Sequence, residues 1–199
     1  MDVIFNSIYA RAFMGAGLAV LSGIRAFLPI AFVALYSHLD FHSSPDLEGT
    51  VFAFFEKTWV VILLFVLAVI ELLAEKIWVV NKTRDQAMQP IRIALGGLVF
   101  AVAMAPDGWI AMVVAAVFGA LIAGLADHAR RSTRPTSTTD KTPLVLISIY
   151  EDVLVLIGTL LFVLVPLIGA LVFCFMGLLV YRVRVTRKRK HKGLRILKG

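Results

Sequence analysis

The chain has 199 residues, 60% of them hydrophobic, with a net charge of +7 and a mean hydropathy of +0.89. Soluble domains contain about 45–50% apolar residues, and here the excess lies in long continuous runs, which argues against a soluble domain and indicates a membrane protein. Because the runs do not alternate apolar and polar residues, a transmembrane barrel is disfavoured. The sequence predicts an all-α polytopic membrane bundle of about five spanning or half-spanning segments, some broken at Gly or Pro.

The first hydrophobic unit, residues 4–36, contains a permanent cation, Arg25. Arg near the centre of a bilayer costs at least ~2.5–3.5 kcal/mol, so it needs a partner, a water-filled cavity or a functional role. Gly23 and Pro29 flank Arg25 and are predicted to break the helix there. The unit is therefore either one long kinked helix or two shorter segments that meet at Arg25.

The second unit, residues 59–80, carries two carboxylates, Glu71 and Glu75. They are four residues apart and share one helix face, where their mutual repulsion favours a cation, a proton or an Arg between them. We expect Arg25 to pair with Glu71 or Glu75. This pair is either a site that opens to substrate or protons, or a static contact that holds the bundle together.

Residues 81–92 are expected to be a basic connector, with Pro90 at the start of the next helix. The following apolar run, 91–105, would be only about 22 Å long, so the helix is either extended at its ends or half-spanning. Trp109–Ala126 is expected to span the membrane. Its small residues form two stripes: Ala115, Gly119 and Ala123, and Ala116, Ala120 and Gly124. Such stripes permit close packing against another helix. The alternative is an Ala-rich membrane helix without a specific partner.

A polar loop is expected over 127–142, in which Asp127 and His128 form an interfacial pair. Ser148 and Glu151 have the spacing of a capping box, which predicts a helix start there. Glu151 and Asp152 are then either first-turn acids, which favour the helix dipole, or ligands. The apolar run 153–181 contains Pro166, where a tilt, a kink or a re-entrant break are all open.

Charge is distributed unevenly along the chain. The loops 76–92 and 127–142 are basic and the loops 37–57 and 106–108 are acidic, so the positive-inside rule puts the basic loops in the cytoplasm. Nine of the 20 Lys and Arg residues lie in 182–198, which predicts a transmembrane domain over 1–181 and a cytoplasmic basic tail over 182–199. A cytoplasmic tail requires 143–181 to cross an even number of times, or an earlier segment to be re-entrant.

The tail follows a membrane segment directly, so it is expected to contact the bilayer. The residues predicted to bind anionic lipid head groups are Arg187, Lys188, Arg189 and Lys190. Membrane attachment explains this charge, and no nucleic-acid partner is expected. The predicted location is the inner (plasma) membrane, multi-pass, with the C-terminus in the cytoplasm.

Sequence motifs of enzymes are missing, among them HExxH, CxxC, GxSxG and a Walker glycine loop. The four His do not lie at metal-ligand spacing with Cys or acids, and the single cysteine, Cys174, lies in an apolar run. We therefore expect no enzymatic activity, no cofactor and no metal.

Three sequence elements resemble one family of proteins. Gly-Ile-Arg-Ala-Phe-Leu-Pro at 23–29, Glu-Leu-Leu-Ala-Glu-Lys-Ile at 71–77 and Gln-Pro-Ile-Arg at 89–92 are similar to the uncharacterised bacterial membrane proteins of domain-of-unknown-function family 4126. Residues 148–152 resemble the acidic start of that family's last apolar stretch. Trp78 stands where the family usually has Pro, and Asn81 where it usually has Asp. The resemblance covers about residues 10–180; it implies a multi-pass protein and no particular activity.

Two functional hypotheses follow. The first is a small transporter or channel-like protein in which Arg25 binds an anionic solute or lipid head group, since transporters build sites where broken helices meet charged groups. The second is a non-transporting scaffold or assembly protein whose buried charges are structural. A homo-oligomer that encloses a path is an open alternative. The candidate substrate- or ion-binding residues are Arg25, Glu71, Glu75, Arg92, Glu151 and Asp152.

Overall fold

The computed structural model describes residues 7–40, 45–77, 82–133, 142–166 and 168. This part of the chain contains six α-helices and two short 3-10 helices, so the prediction of an all-α bundle is confirmed. The α-helices are α1 Ile8–Ser22, α2 Phe27–His38, α3 Thr58–Ile77, α4 Lys82–Ala103, α5 Trp109–Thr133 and α6 Thr142–Leu164, and the 3-10 helices are Ala53–Glu56 and Ala105–Asp107.

Within the described residues, three segments are long and apolar enough to cross a membrane: Gln86–Ala103 of α4, Trp109–Arg131 of α5 and Val145–Leu164 of α6. Helices α1 and α2 and the segment Thr58–Ala74 of α3 are shorter but also apolar. Large aliphatic side chains project outwards from α3, α5 and α6, as expected for surfaces that face lipid. The protein is thus a membrane protein built from long and short helices.

The first hydrophobic unit consists of two short helices, which is one of the two predicted alternatives. Helix α1 ends at Ser22, and α2 begins at Phe27. At Gly23 the backbone passes so close to α5 that an added Cβ would lie 2.7 Å from the Cβ of Ala126. Only glycine fits such an approach, so the chain turns next to α5 at the predicted position.

Pro29, the other predicted helix-break residue, does not break the helix. It lies in the first turn of α2, where a backbone N–H has no acceptor within the helix and proline therefore removes nothing. The break lies before Pro29, between Gly23 and Ala26. Pro29 is therefore part of a helix start.

Helices α1 and α2 form a hairpin whose tip is Gly23–Ala26. Helix α1 runs antiparallel to α6, because Gly17 faces Phe162 and Gly158 faces Leu21. Helix α2 runs antiparallel to α3, with the rings of Phe32 and Phe65 5.4 Å apart. The connection after α2 returns towards the beginning of α5, where Phe52 lines a groove together with residues of α4 and α5.

Small residues bring α4 and α5 into close contact, as one reading of the two stripes predicted. A Cβ added at Gly119 would lie 2.5 Å from the carbonyl oxygen of Gly96 and 2.8 Å from the Cβ of Phe100. A Cβ at Gly97 would lie 2.7 Å from the carbonyl oxygen of Ala116. The two backbones therefore approach each other directly, and side-chain volume at these positions is excluded.

Three predicted boundaries are wrong, and each helix is longer than expected. Helix α4 starts at Lys82, so Pro90 lies inside it, and its 22 residues agree with the extended alternative. Helix α5 extends into the loop predicted over 127–142, as far as Thr133. Helix α6 begins at Thr142, which puts Ser148 and Glu151 in its interior and contradicts the capping box. Pro143 stands in the first turn of α6, where proline is favoured.

Candidate functional site

Charged and polar side chains from four structural elements meet at the tip of the α1–α2 hairpin. The tip supplies Arg25, while the last turns of α3, the last turns of α5 and the first half of α6 surround it. We refer to this group as the Arg25 cluster, which comprises Arg25, Glu71, Lys76, Arg130, Ser148, Glu151 and Asp152.

The side chain of Arg25 is fully buried, with 0% of its surface exposed. Its Nη2 atom donates hydrogen bonds to the hydroxyl of Ser148 at 3.1 Å and to the carbonyl oxygen of Ser148 at 3.2 Å. The same nitrogen forms an ion pair with Asp152 and lies 3.9 Å from a carboxylate oxygen of Glu151. The cation that costs most in lipid is therefore surrounded by acceptors from α6.

Glu71 reaches the same hairpin tip but binds its backbone. Its two carboxylate oxygens accept hydrogen bonds from the N–H groups of Ala26 at 2.9 Å and Phe27 at 3.0 Å. These N–H groups start α2 and have no acceptor within the helix. The carboxylate also suits the positive end of the helix dipole. We expected Arg25 to pair with Glu71 or Glu75. Glu71 instead caps α2, and among the described side chains the ion pairs of Arg25 are with Glu151 and Asp152 of α6; the side chain of Glu75 lies outside the described residues.

Each acid of the Glu151–Asp152 pair also binds a second cation from another helix. The other carboxylate oxygen of Asp152 lies 3.1 Å from the Nζ atom of Lys76 on α3. Glu151 accepts a hydrogen bond from the Nε–H of Arg130 on α5 at 3.0 Å. The side chain of Lys76 is 41% exposed and that of Asp152 is 15% exposed. The cluster thus extends from a fully buried cation to a half-exposed one.

A second buried group of charges, the Arg92 cluster, joins α4 to α5 and consists of Gln89, Arg92, Asp127 and Arg131. One carboxylate oxygen of Asp127 lies 3.0 Å from Nη1 of Arg92, and the other lies 2.6 Å from Nη2 of Arg131. Arg131 also donates to the side-chain oxygen of Gln89 at 3.2 Å. His128 is exposed, and the expected interfacial position of Asp127 and His128 stays a prediction.

The opposite end of α1 carries an ion pair of its own. Arg11 donates from Nε at 2.8 Å and from Nη2 at 2.5 Å to the two carboxylate oxygens of Asp107, which lies in the turn between α4 and α5. This two-pronged geometry suits a guanidinium and a carboxylate. Helix α1 is therefore fastened to different partners at its two ends.

A groove of about 350 Å³ lies elsewhere, between α4 and α5, and its lining is apolar, including Phe52, Leu98 and Met112. None of the predicted site residues lines it. Among the residues that the structure describes, no group of three or more His, Cys, Asp or Glu side chains is arranged to hold a metal ion. The charged clusters, and not this groove, are the candidate site.

Four of the six predicted site residues meet in the Arg25 cluster: Arg25, Glu71, Glu151 and Asp152. Arg92 belongs to the second cluster. The side chain of Glu75 lies outside the described residues, as do the predicted head-group ligands at 187–190.

Sequence reasoning did not assign Lys76, Arg130 or Ser148 to the site. The polar loop predicted over 127–142 includes Arg130, although Asp127, Arg130 and Arg131 continue the helical spacing of α5 at i, i+3 and i+4. That spacing was the available signal. Lys76 and Ser148 carry no comparable signal, because their roles depend on which helices become neighbours.

Comparison of the chain with curated proteins and with solved structures finds no significant match. The sequence profile of one family, described as a domain of unknown function, DUF4126, matches residues 12–186. The matched region contains the hairpin tip, the end of α3, the start of α4 and the acidic pair of α6. The chain therefore belongs to the DUF4126 family of domains of unknown function.

Proposed function

We propose that the protein is a small transporter of anionic solutes and that Arg25 is its anion-binding group. The observation that carries this proposal is the complete burial of Arg25 at a break between two short membrane helices, with carboxylates as its ion-pair partners. A charged group placed inside a membrane domain is costly and commonly marks a substrate or ion pathway.

The chemistry of the hairpin tip supports an anion as the ligand. The tip offers the guanidinium of Arg25 and the first N–H groups of α2, and a helix N-terminus is a favourable position for negative charge. In the structure both positions hold carboxylates of the protein itself, Asp152 and Glu71. Transporters use broken helices in this way, with helix N-termini directed at anionic groups of the substrate.

On this proposal the structure represents a closed state, since protein groups occupy the binding positions of Arg25. Opening would separate the hairpin tip from α6. The contacts that would break are those of Arg25 with Ser148, Glu151 and Asp152. The Arg11–Asp107 pair at the other end of α1 could hold the helix meanwhile.

A second function has a specific observation in its favour. Arg25, Arg92 and Asp127 are all buried and are held in well-formed ion pairs, which is also what a rigid, non-transporting scaffold requires. In that case the clusters only fix the arrangement of the helices, and the basic tail and the exposed apolar faces contact lipids and other proteins. The two proposals differ in whether Arg25 ever meets a solute.

The distribution of charge along the chain supports a proposed orientation in the inner membrane and a proposed contact with lipids. The acidic connection over 45–57 and the turn at Asp107 would face the outside of the inner membrane, and the connections over 78–81 and 134–141 would face the cytoplasm, following the positive-inside rule. The basic tail, with Arg187, Lys188, Arg189 and Lys190, would lie on the cytoplasmic side and bind anionic lipids. We propose no enzymatic activity and no nucleic-acid partner, and we keep a homo-oligomer as an alternative assembly.

Flux into proteoliposomes tests the transport function. Purified protein is reconstituted, and uptake of radiolabelled lactate, phosphate and chloride is measured for the wild type, Arg25→Lys and Arg25→Ala. We expect wild-type uptake of at least one of these anions, a large reduction in Arg25→Lys because an ammonium lacks the planar fork of N–H donors with which a guanidinium binds an anion, and the rate of protein-free vesicles in Arg25→Ala.

The double variant Arg25→Met with Asp152→Leu is the control that separates loss of transport from misfolding. Replacing a buried ion pair by apolar residues of similar volume is often tolerated. This variant should remain monodisperse in detergent and show no uptake. No uptake of any of the three anions by the wild type, or equal uptake by Arg25→Ala, would overturn the proposal and favour the scaffold.

A further inference from the structure

We infer that the transported anion is a small monocarboxylate that takes the place of Asp152 on Arg25, and that Lys76 is the positioning residue that retains the displaced Asp152. This inference rests on the proposed transport function and names its substrate class. It is carried by one geometric feature, the position of Asp152 between a buried cation and a half-exposed cation.

The two cations bind different oxygens of Asp152. Arg25 pairs with Oδ1, whereas Lys76 lies 3.1 Å from Oδ2. Both contacts exist at once, so the contact with Lys76 need not be built when the contact with Arg25 breaks. A buried carboxylate that loses its only cation is strongly destabilised. Because Lys76 remains bound to Asp152, Asp152 can separate from Arg25 without becoming an unpaired buried charge.

Glu151 has the same arrangement and supports the same exchange. It lies 3.9 Å from Arg25 and accepts a hydrogen bond at 3.0 Å from Arg130. Each of the two described acids that pair with Arg25 therefore has a second cation on another helix. Arg25 is the one member of the cluster that both acids can release while each keeps an ion-pair partner.

The groups that the ligand replaces indicate its class. The position on Arg25 is filled by a side-chain carboxylate, and the adjacent backbone N–H groups of Ala26 and Phe27 hold another, Glu71. A small carboxylate reproduces the charge and planar shape of Asp152, and a guanidinium binds that shape with two parallel N–H groups. The described cluster already balances three cations with three carboxylates: Arg25, Lys76 and Arg130 with Glu71, Glu151 and Asp152. A ligand with one negative charge disturbs this balance least.

The exposed side of the cluster gives the ligand an approach. The side chain of Lys76 is 41% exposed and that of Asp152 is 15% exposed, whereas that of Arg25 is 0% exposed. An anion arriving from the surface meets Lys76 before Arg25. Lys76 thus lies on the exposed side of the cluster, where it holds Asp152 once Asp152 has moved away from Arg25.

The kinetics of lactate uptake test this assignment in proteoliposomes. Lys76→Gln removes the second partner of Asp152, so Asp152 is expected to compete more strongly for Arg25 and the KM for lactate should rise about tenfold, with Vmax within twofold of the wild type. Lys76→Arg should restore the wild-type KM. Lys57→Gln, which removes an exposed lysine before α3, is the matched control and should have no effect.

Dependence on Asp152 separates exchange from simple attraction. In an Asp152→Asn background the competing charge is gone, so adding Lys76→Gln should change the KM less than twofold. A KM for Lys76→Gln within twofold of the wild type, or an equal effect of Lys76→Gln in both backgrounds, would overturn the inference while leaving transport itself intact. Wild-type uptake of phosphate or chloride without lactate would overturn the substrate class alone, whereas no uptake of any anion would overturn the proposed function.

Discussion

Glu71 accepts a hydrogen bond at 2.9 Å from the backbone N–H of Ala26, although 45 residues separate them in sequence. A second bond, from the N–H of Phe27 at 3.0 Å, completes the cap of α2. The start of α2 has no capping side chain of its own, so a carboxylate from the neighbouring helix supplies what the local sequence lacks. The position of the hairpin tip, and with it the position of Arg25, depends on Glu71.

Replacing Glu71 should therefore destabilise the bundle. Glu71→Ala leaves two N–H groups without an acceptor and should lower the free energy of unfolding by about 2 kcal/mol, measured by SDS titration in mixed micelles. Glu71→Gln keeps one acceptor oxygen and should lose about half as much. Leu73→Ala is the control, since Leu73 is exposed on the same helix. A Glu71→Ala variant as stable as this control would show that the cap contributes nothing.

Breaking the Arg92–Asp127 pair should cost more stability than removing the cap at Glu71. Both side chains of the pair are almost completely buried, at 1% and 0% exposed. Asp127→Ala leaves Arg92 without its carboxylate and should cost about 3–5 kcal/mol. The double variant Arg92→Met with Asp127→Leu replaces the pair by apolar volume and should be more stable than Asp127→Ala. Unfolding in mixed micelles measures both. A double variant less stable than Asp127→Ala would contradict this prediction and show that apolar packing cannot replace the ion pair.

The sequence predicted the membrane bundle, the break near Arg25 and the importance of buried charges, because each depends on residues close together in the chain. An Arg inside an apolar run is costly wherever it lies, and Gly23 marks a place where a backbone turns or approaches another closely. Four of the six candidate site residues meet for the same reason: a charge in lipid needs charged or polar partners.

The partners themselves could not be predicted in the same way. Glu71 and Asp152 are both predicted site residues, but the sequence predicts only Glu71 or Glu75 as the partner of Arg25. Which acid caps α2 and which pairs with Arg25 depends on how α3 and α6 sit around the hairpin. The sequence predicts a helix start at Pro90, because proline is common at helix starts. The preceding turns are helical from Lys82, so here proline occupies the helix interior.

The crossing of α4 and α5 offers a test in which two glycines of one helix should behave differently. A Cβ at Gly119 would meet the carbonyl oxygen of Gly96 at 2.5 Å, whereas a Cβ at Gly124 would meet only the side chain of Ile93 at 3.6 Å. Gly119→Ala should therefore lower the free energy of unfolding by about 1–3 kcal/mol through overpacking. Gly124→Ala should be neutral or slightly stabilising, since alanine is the better helix former. Thermal unfolding in detergent compares them, and equal stability of the two variants would contradict the close approach.

The orientation of the helices can be tested with single cysteines introduced into a Cys174→Ser background. Glu48 and His128 are both exposed, and they lie at opposite ends of the helices, Glu48 in the acidic connection after α2 and His128 in the last turns of α5. Because basic segments are retained in the cytoplasm, a membrane-impermeant maleimide added to intact cells should label Glu48→Cys and leave His128→Cys unlabelled. Inverted membrane vesicles should give the opposite result. Labelling of His128→Cys in intact cells would show that the orientation is the opposite of the expected one. The Arg25 cluster would then lie on the outer side of the membrane.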